Sequence, residues 1–168
     1  MPEAPARGEW LQAGRVGRPH GLDGSFLVAE ANLALLGAVS EVNVSGAQRA
    51  IVRRAGHEQR PILRLEGCAD REAARALRGA QLLVPRAAAP ALAEDEWWAE
   101  DLEGLRAVDG AVAVGVVRRL LAMPSCEVLE IARESGETLL VPLVSDAVRT
   151  VDLRRGLVDV NLSFLGED

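Results

Sequence analysis

The chain has 168 residues, 49% of them hydrophobic but only 3% aromatic, and a formal net charge of −6. That stock fills one large core or two small ones with Val, Leu, Ile and Ala, and the net acidity argues against generic coating of nucleic acid by the whole molecule while leaving a basic first half free to touch phosphate. No apolar run approaches the ~20 residues of a membrane span, and the first nine residues lack the apolar segment of a secretion signal, which implies a soluble, cytoplasmic protein without a membrane partner.

Charge is divided unevenly along the chain. Residues 1–93 carry 12 arginines against 9 acids, a balance of +3, whereas residues 94–168 carry 7 against 16, a balance of −9. The break predicts two domains, residues 1–86 and 98–168, with residues 87–97 as a linker. All 19 basic residues are arginine, a bias of codon usage or temperature that also provides for surface ion pairs. Cys68 and Cys126 fall one in each half without a Cys-x-x-Cys, the pattern of reduced, buried spectator thiols.

In chain order, Trp10 to Val16 alternates as a strand, and Gly14 to Gly24 packs four glycines and a proline into a demanding turn. Two readings stand side by side. The stretch is an exposed loop whose Arg15, Arg18 and His20 meet phosphate or a protein partner, or a barrel corner with His20 bonded to local backbone. It is neither a P-loop nor a dinucleotide fingerprint. Ser25 to Ala31 reads as a strand with Phe26 and Val28 on one face, and Asn32 to Gly37 as a short turn or helical loop. Val42 to Val44, Ala50 to Arg54 and Ile62 to Leu65 are strands parted by Ser45-Gly46 and Gly56-His57, with His57 solvated. Asp70 caps a helix from Arg71 to Arg78 that Gly79 stops, and Ala80 to Pro85 closes a barrel. Arg71, Arg75 and Arg78 make either a basic stripe or a solvated face.

Arg86 to Ala93 is a semi-rigid Ala/Pro linker into Glu94-Asp95-Glu96-Trp97-Trp98-Ala99-Glu100-Asp101-Leu102. A tryptophan pair among carboxylates either packs as structure or offers an apolar anchor with a charged rim to a basic partner. Beyond it, Leu105 to Val108, Ala111 to Leu121, Glu127 to Arg133, Thr138 to Val144, Ala147 to Asp152 and Leu157 to Leu162 predict a second antiparallel barrel, with a fraying tail at Gly166-Glu167-Asp168.

Chemistry is thin. Two distant histidines and two isolated cysteines give no metal set, and no nucleophile elbow occurs. The acids Glu94, Asp95, Glu96, Glu100 and Asp101 are the one candidate for a metal-dependent ribonuclease, and adjacent acids on a linker seldom converge on one ion. A His20–Asp23 acid/base pair is a weaker idea still.

The motifs in order carry a resemblance. Gly14-Arg15-Val16-Gly17, Pro19-His20-Gly21-Leu22 and Gly24, the Asp70-Arg71-Glu72-Ala73 helix and Leu82 with Val84 resemble the amino-terminal domain of the RimM family of ribosome maturation factors. Glu96-Trp97-Trp98, Asp101-Leu102, Gly104, Gly115, Val117, Val128-Leu129, Val141-Pro142 and Val151-Asp152-Leu153 are similar to that family's carboxyl-terminal PRC-barrel. The resemblance implies a mainly β protein of two small β-barrels, the first translation-factor-like, joined by a short linker. It implies a non-catalytic, cofactor-free monomer that binds ribosomal protein nineteen of the small-subunit head and promotes 16S rRNA processing and maturation of the small-subunit precursor. Trp97 and Trp98 stand where the family has paired tyrosines implicated in ribosome association, with Ala99 in place of the usual Trp. Trp97, Trp98, Asp101 and Leu102 are therefore the expected partner-binding residues, and Arg15, Arg18 and His20 the expected partner or rRNA contacts. A plain rRNA-binding module is the alternative.

Overall fold

The computed structural model describes residues 8–167 and divides into two compact units, residues 1–92 and 93–168. In the first, β1 (Trp10–Pro19), β2 (Phe26–Ala29), α1 (Leu33–Ala38), β3 (Glu41–Val44), β4 (Ala47–His57), β5 (Arg60–Leu65), α2 (Arg71–Ala76) and β6 (Gln81–Pro85) follow in order. The strands close into a barrel in the order β1-β2-β5-β4-β3-β6. Alternate residues are buried, as a half-buried pleat requires: Leu11 and Ala13, Phe26 and Val28, Val42 and Val44, Leu63 and Leu65, Leu82 and Val84. Phe26 is the largest fully buried side chain of the described residues, so the low aromatic content is met by a core of branched aliphatics.

Both helices of this unit are capped by the residue before them. Asn32 Oδ1 accepts the Leu35 amide at 3.1 Å and Asp70 Oδ1 accepts the Ala73 amide at 2.8 Å. Six residues are too few for a helix to persist alone; α1 buries Leu35 and Leu36 and α2 buries Ala74. Helix α2 stops at Ala76, two residues short of the expected Arg78, and the Gly79 amide then bonds the Val16 carbonyl at 2.7 Å.

Two turns lie later than expected. β1 continues through Gly14 and Gly17 to Pro19 and leaves the reversal to residues 21–24, because Gly17 is needed inside the ladder: a Cβ there would sit 2.6 Å from the Leu27 carbonyl oxygen. The register slips between Val16 and Pro19, so the glycines serve a bulged strand. Likewise β4 runs through Gly56 to His57, paired with Pro61 and Arg60, and turns at Glu58 and Gln59.

The second unit holds α3 (Ala99–Leu102), β7 (Arg106–Asp109), β8 (Val112–Ala122), β9 (Glu127–Ala132), β10 (Thr138–Pro142), β11 (Val148–Asp152), β12 (Leu157–Val160) and α4 (Leu162–Leu165). Its six strands run in the order β10-β9-β8-β7-β12-β11. Leu129, Ile131, Leu139, Val141, Val158 and Val160 share one core with Leu102 and Leu105, and Val148 and Val151 of β11 pack on it too. The sheet is therefore rolled around its interior.

The expectation of a wholly antiparallel second barrel is corrected at one pairing. β12 lies parallel to β7, with Val108 opposite Asp159. That register sets the carboxylates of Asp109 and Asp159 side by side, and like charges at that separation need a cation. Arg149 supplies it, at 2.7 Å from Asp109 and 3.0 Å from Asp159, while also donating to the Val160 carbonyl at 2.8 Å. The Arg149 guanidinium, through its hydrogen bond, is the main cause holding the Asp109 carboxyl below its ordinary 3.8.

The ending differs as well. The last strand stops at Val160, Asn161 caps α4, and the tail is held: Glu167 pairs with Arg133 at 2.7 Å and its amide bonds the Leu162 carbonyl at 3.0 Å. The expected fraying therefore does not extend to Gly166 and Glu167, while Asp168 lies outside the described residues.

Replacing Asp70 by Ala removes the side-chain cap of α2, and the expected loss is about 1 kcal/mol, read as a lower urea midpoint with an unchanged slope.

Candidate partner-binding segment

The acidic tryptophan segment opens the second unit. Ala93 and Glu96 close a tight turn, the Ala93 amide donating to Glu96 Oε2 at 2.9 Å and the Glu96 amide to the Ala93 carbonyl at 3.2 Å. Trp98 is the N-cap residue of α3 in an extended conformation, and its carbonyl accepts the Asp101 amide at 3.0 Å. Glu100 and Asp101 occupy the first turn, where unpaired amides favour negative charge. Leu102 then goes into the core at 0% exposure and Leu105 at 1%. Backbone bonds from Gly104 N to Val117 O (2.8 Å) and from Val117 N to Leu105 O (2.9 Å) tie the helix exit to β8.

This geometry sorts the expected partner-binding set. Trp97 is half-buried and packs against the core of the second unit; Trp98 is half-buried and is not part of that cluster. Leu102 is corrected from contact residue to anchor: wholly enclosed, it holds α3 in place and cannot touch a partner. Glu94, Asp95 and Glu96 are exposed. Among the described residues no three of His, Cys, Asp and Glu converge in a way that could hold a metal ion, so the acids form a charged rim and no cage. Glu103, although exposed as a residue, has its carboxyl pushed above the ordinary 4.5, first by partial desolvation and then by Glu100 nearby.

The residues expected to act in the first unit are separated by the fold. Arg15 turns to Glu30 at 3.2 Å and to the Gly79 carbonyl at 3.3 Å. Arg18 is exposed and makes no ion pair among the described residues. His20 is exposed, and its backbone amide bonds the Ser25 carbonyl at 2.8 Å. Asp23 turns away from any pairing with His20: Ser25 hydrogen bonds chiefly, with Arg53 behind them, hold its carboxyl below the ordinary 3.8. Sequence reading missed Arg53 and Arg64 and placed Arg71 only on a helix face; all three come from distant strands and a helix to the same loop, and no local pattern announces that meeting.

A family model described as the RimM N-terminal domain matches residues 11–89, and one described as the RimM PRC barrel domain matches residues 99–163. The chain belongs to the RimM family of ribosome maturation factors. A ribosome maturation factor RimM of Frankia alni is 36% identical over 91% of this chain and 94% of its own. That of Azorhizobium caulinodans is 40% identical over 87% of this chain and 86% of its own. The RimM of Sorangium cellulosum is 36% identical over 86% of this chain and 90% of its own. The membership implies a role in ribosome assembly, and it bears out the mainly β fold class of a RimM barrel followed by a PRC barrel. No helix among the described residues is long and apolar enough to cross a membrane.

The raised carboxyl of Glu103 yields a pH prediction. A carboxyl whose folded value exceeds its unfolded one costs stability once it ionises, so the cost is full above the folded value and vanishes below the unfolded one. Glu103→Gln is expected to raise the melting temperature at pH 7, with the gain shrinking to nothing as pH falls below 4.5; a gain independent of pH excludes this cause.

Proposed function

We propose that this chain acts without turnover as an assembly factor that captures ribosomal protein nineteen of the small-subunit head and promotes 16S rRNA processing and small-subunit maturation, working as a cytoplasmic monomer. The observation that carries the reading is the half-exposed tryptophan pair, clamped by α3 at the entrance of a unit of charge −9. Ribosomal proteins are rich in Arg and Lys. Opposite charge speeds their encounter, and an aromatic surface fixed in advance retains them at low entropic cost.

Within this reading Trp98 is the principal anchor, since it lies outside the cluster that Trp97 packs against. Trp97 supplies its outer edge, Asp101 and the acids of residues 94–96 supply the rim, and Leu102 keeps the helix seated. The two indoles retain the apolar area of the family's paired tyrosines and dispense with the phenolic hydroxyls, so retention here depends on burial more than on hydrogen bonds.

Calorimetry with the purified ribosomal protein tests the anchor. Trp98→Ala is expected to weaken binding by about 2 kcal/mol, roughly thirtyfold in Kd, with little change in melting temperature. A Trp97→Ala/Trp98→Ala double variant that remains folded and binds like the parent sinks the proposal. Electrostatic capture further requires that association slow as salt rises from about 50 to 300 mM; an on-rate indifferent to salt removes that part of the mechanism.

A further inference from the structure

The loop between β1 and β2 exposes a large apolar side chain without freedom to hide it. Leu22 is 79% exposed at the tip, yet every neighbour is tied. The His20 amide donates to the Ser25 carbonyl at 2.8 Å, the Ser25 amide to Asp23 Oδ1 at 3.1 Å, and the Arg71 guanidinium to the Gly21 carbonyl at 3.3 Å. Gly24, at φ +85°, sits so close to residues 68–70 that a Cβ on it would lie 2.1 Å from the Cys68 carbonyl oxygen. Leu22 cannot fold down without breaking these contacts. Its display is built in, and a surface ordered in advance loses little entropy on binding.

The charge around this tip is one-sided. Arg53 at 2.8 Å and Arg64 at 3.7 Å both reach the carboxylate of Asp23. Arg71 donates to a neutral carbonyl, and Arg18 at the end of β1 is exposed without an ion pair among the described residues. Three guanidiniums thus bond this loop against the one carboxylate it carries, and Arg18 adds a fourth charge five residues before that carboxylate in the chain. The next acid, Asp70, has an oxygen committed to capping α2. Arg15 is not part of the group, being held by Glu30.

A ribosome maturation factor works among basic proteins and anionic RNA. A surplus of guanidiniums repels the first and complements the second, since the planar fork takes phosphate oxygens two at a time. We propose that the Leu22 loop is an RNA-docking surface, in which Arg18, Arg53, Arg64 and Arg71 contact phosphates of folded rRNA and Leu22 packs on a sugar or an unstacked base among them. The site belongs to the first unit and stands independently of the client reading of the second.

The test uses the full chain and a fluorescein-labelled transcript of the head domain of 16S rRNA, followed by anisotropy across a salt series. The Arg18→Gln/Arg71→Gln variant is expected to bind about tenfold more weakly near 0.1 M salt. It also flattens the plot of log affinity against log salt by roughly 1.5, at about 0.7–0.9 for each phosphate no longer neutralised. Arg18→Gln alone, which gives up no ion pair within the described residues, flattens it by roughly half as much. Arg154→Gln/Arg155→Gln removes the same charge from an exposed turn of the second unit and stays within about twofold of the parent. Parent-like affinity and slope in Arg18→Gln/Arg71→Gln, or an equal weakening in Arg154→Gln/Arg155→Gln, overturns the proposal. So does a Leu22→Ala variant that no longer sediments with subunit precursors while the arginine variants hold RNA normally, since the loop would then serve a protein. Calorimetry with the ribosomal protein on the same variants keeps this outcome apart from the fate of the tryptophan anchor.

Discussion

Burial of Leu102 is the constraint on which the acidic tryptophan segment depends. A four-residue helix has no stability of its own, because nucleation costs more than so short a run of hydrogen bonds returns. It forms here because Leu102 and Leu105 leave water together, and because Gly104 and Leu105 exchange backbone bonds with Val117 on β8. Once those are made, the chain on the amino side has little choice of direction. Trp98 must stand at the helix entrance and Trp97 must lie with one side against the core. The placing of the tryptophan pair follows from a leucine that never touches solvent.

Negative charge sets the second constraint in that unit. A balance of −9 over residues 94–168 works against compaction, and the cost is met locally wherever acids are forced together. At the parallel β7–β12 pairing Arg149 bridges Asp109 and Asp159 and also reaches Asn161 at 3.2 Å. On β8 and β9 Arg119 covers Glu130 at 2.8 Å, and Arg133 holds Glu167. Glu103, exposed as a residue, has its carboxyl only partly withdrawn from water beside Glu100, and that carboxyl rises in consequence. The acids of residues 94–96 stand exposed to solvent, whereas those between strands are already committed to the fold.

What could be read in the sequence was what depends on near neighbours. Strand alternation, the Asp70 cap and the Ser45-Gly46 turn each rest on residues within a few positions, and each appears in the structure where the pattern puts it. The misplaced turns share one cause. Glycine at Gly17 and Gly56 answers to a close approach by another strand, and density of glycine alone does not tell a bulge from a reversal. The parallel pairing was hidden for a similar reason, since hairpin signals predict antiparallel neighbours and are silent about a strand that returns beside β7 after β8 to β11 have intervened. At the candidate sites, the tryptophan pair was legible as apolar material among acids. Leu102 was not legible as its anchor, because position in a motif carries no information about which side of a short helix faces inward. The meeting of Arg53, Arg64 and Arg71 at the Gly21–Gly24 loop was least legible of all, since they are brought there from 30 to 50 residues away.

The absence of lysine, which composition alone presents as a bias, acquires a structural use in this fold. Arg54 donates through Nη1 to Leu36 O at 2.7 Å and through Nη2 to the Val39 carbonyl, so one side chain closes the carboxyl end of α1. Arg53 bonds both Asp23 and Ser25, and Arg149 serves two carboxylates, a carbonyl and an amide. An ammonium offers three donors around one point and cannot span such sets, whereas the guanidinium carries five across a rigid plane. Most of these ties join segments that the strands leave apart: a loop to a strand, or a helix end to a hairpin. With almost no aromatic side chains to bridge such gaps by size, the chain bridges them by geometry. The same guanidiniums that steady the Leu22 loop are then ordered in advance, which lowers the entropic cost of meeting an anion there.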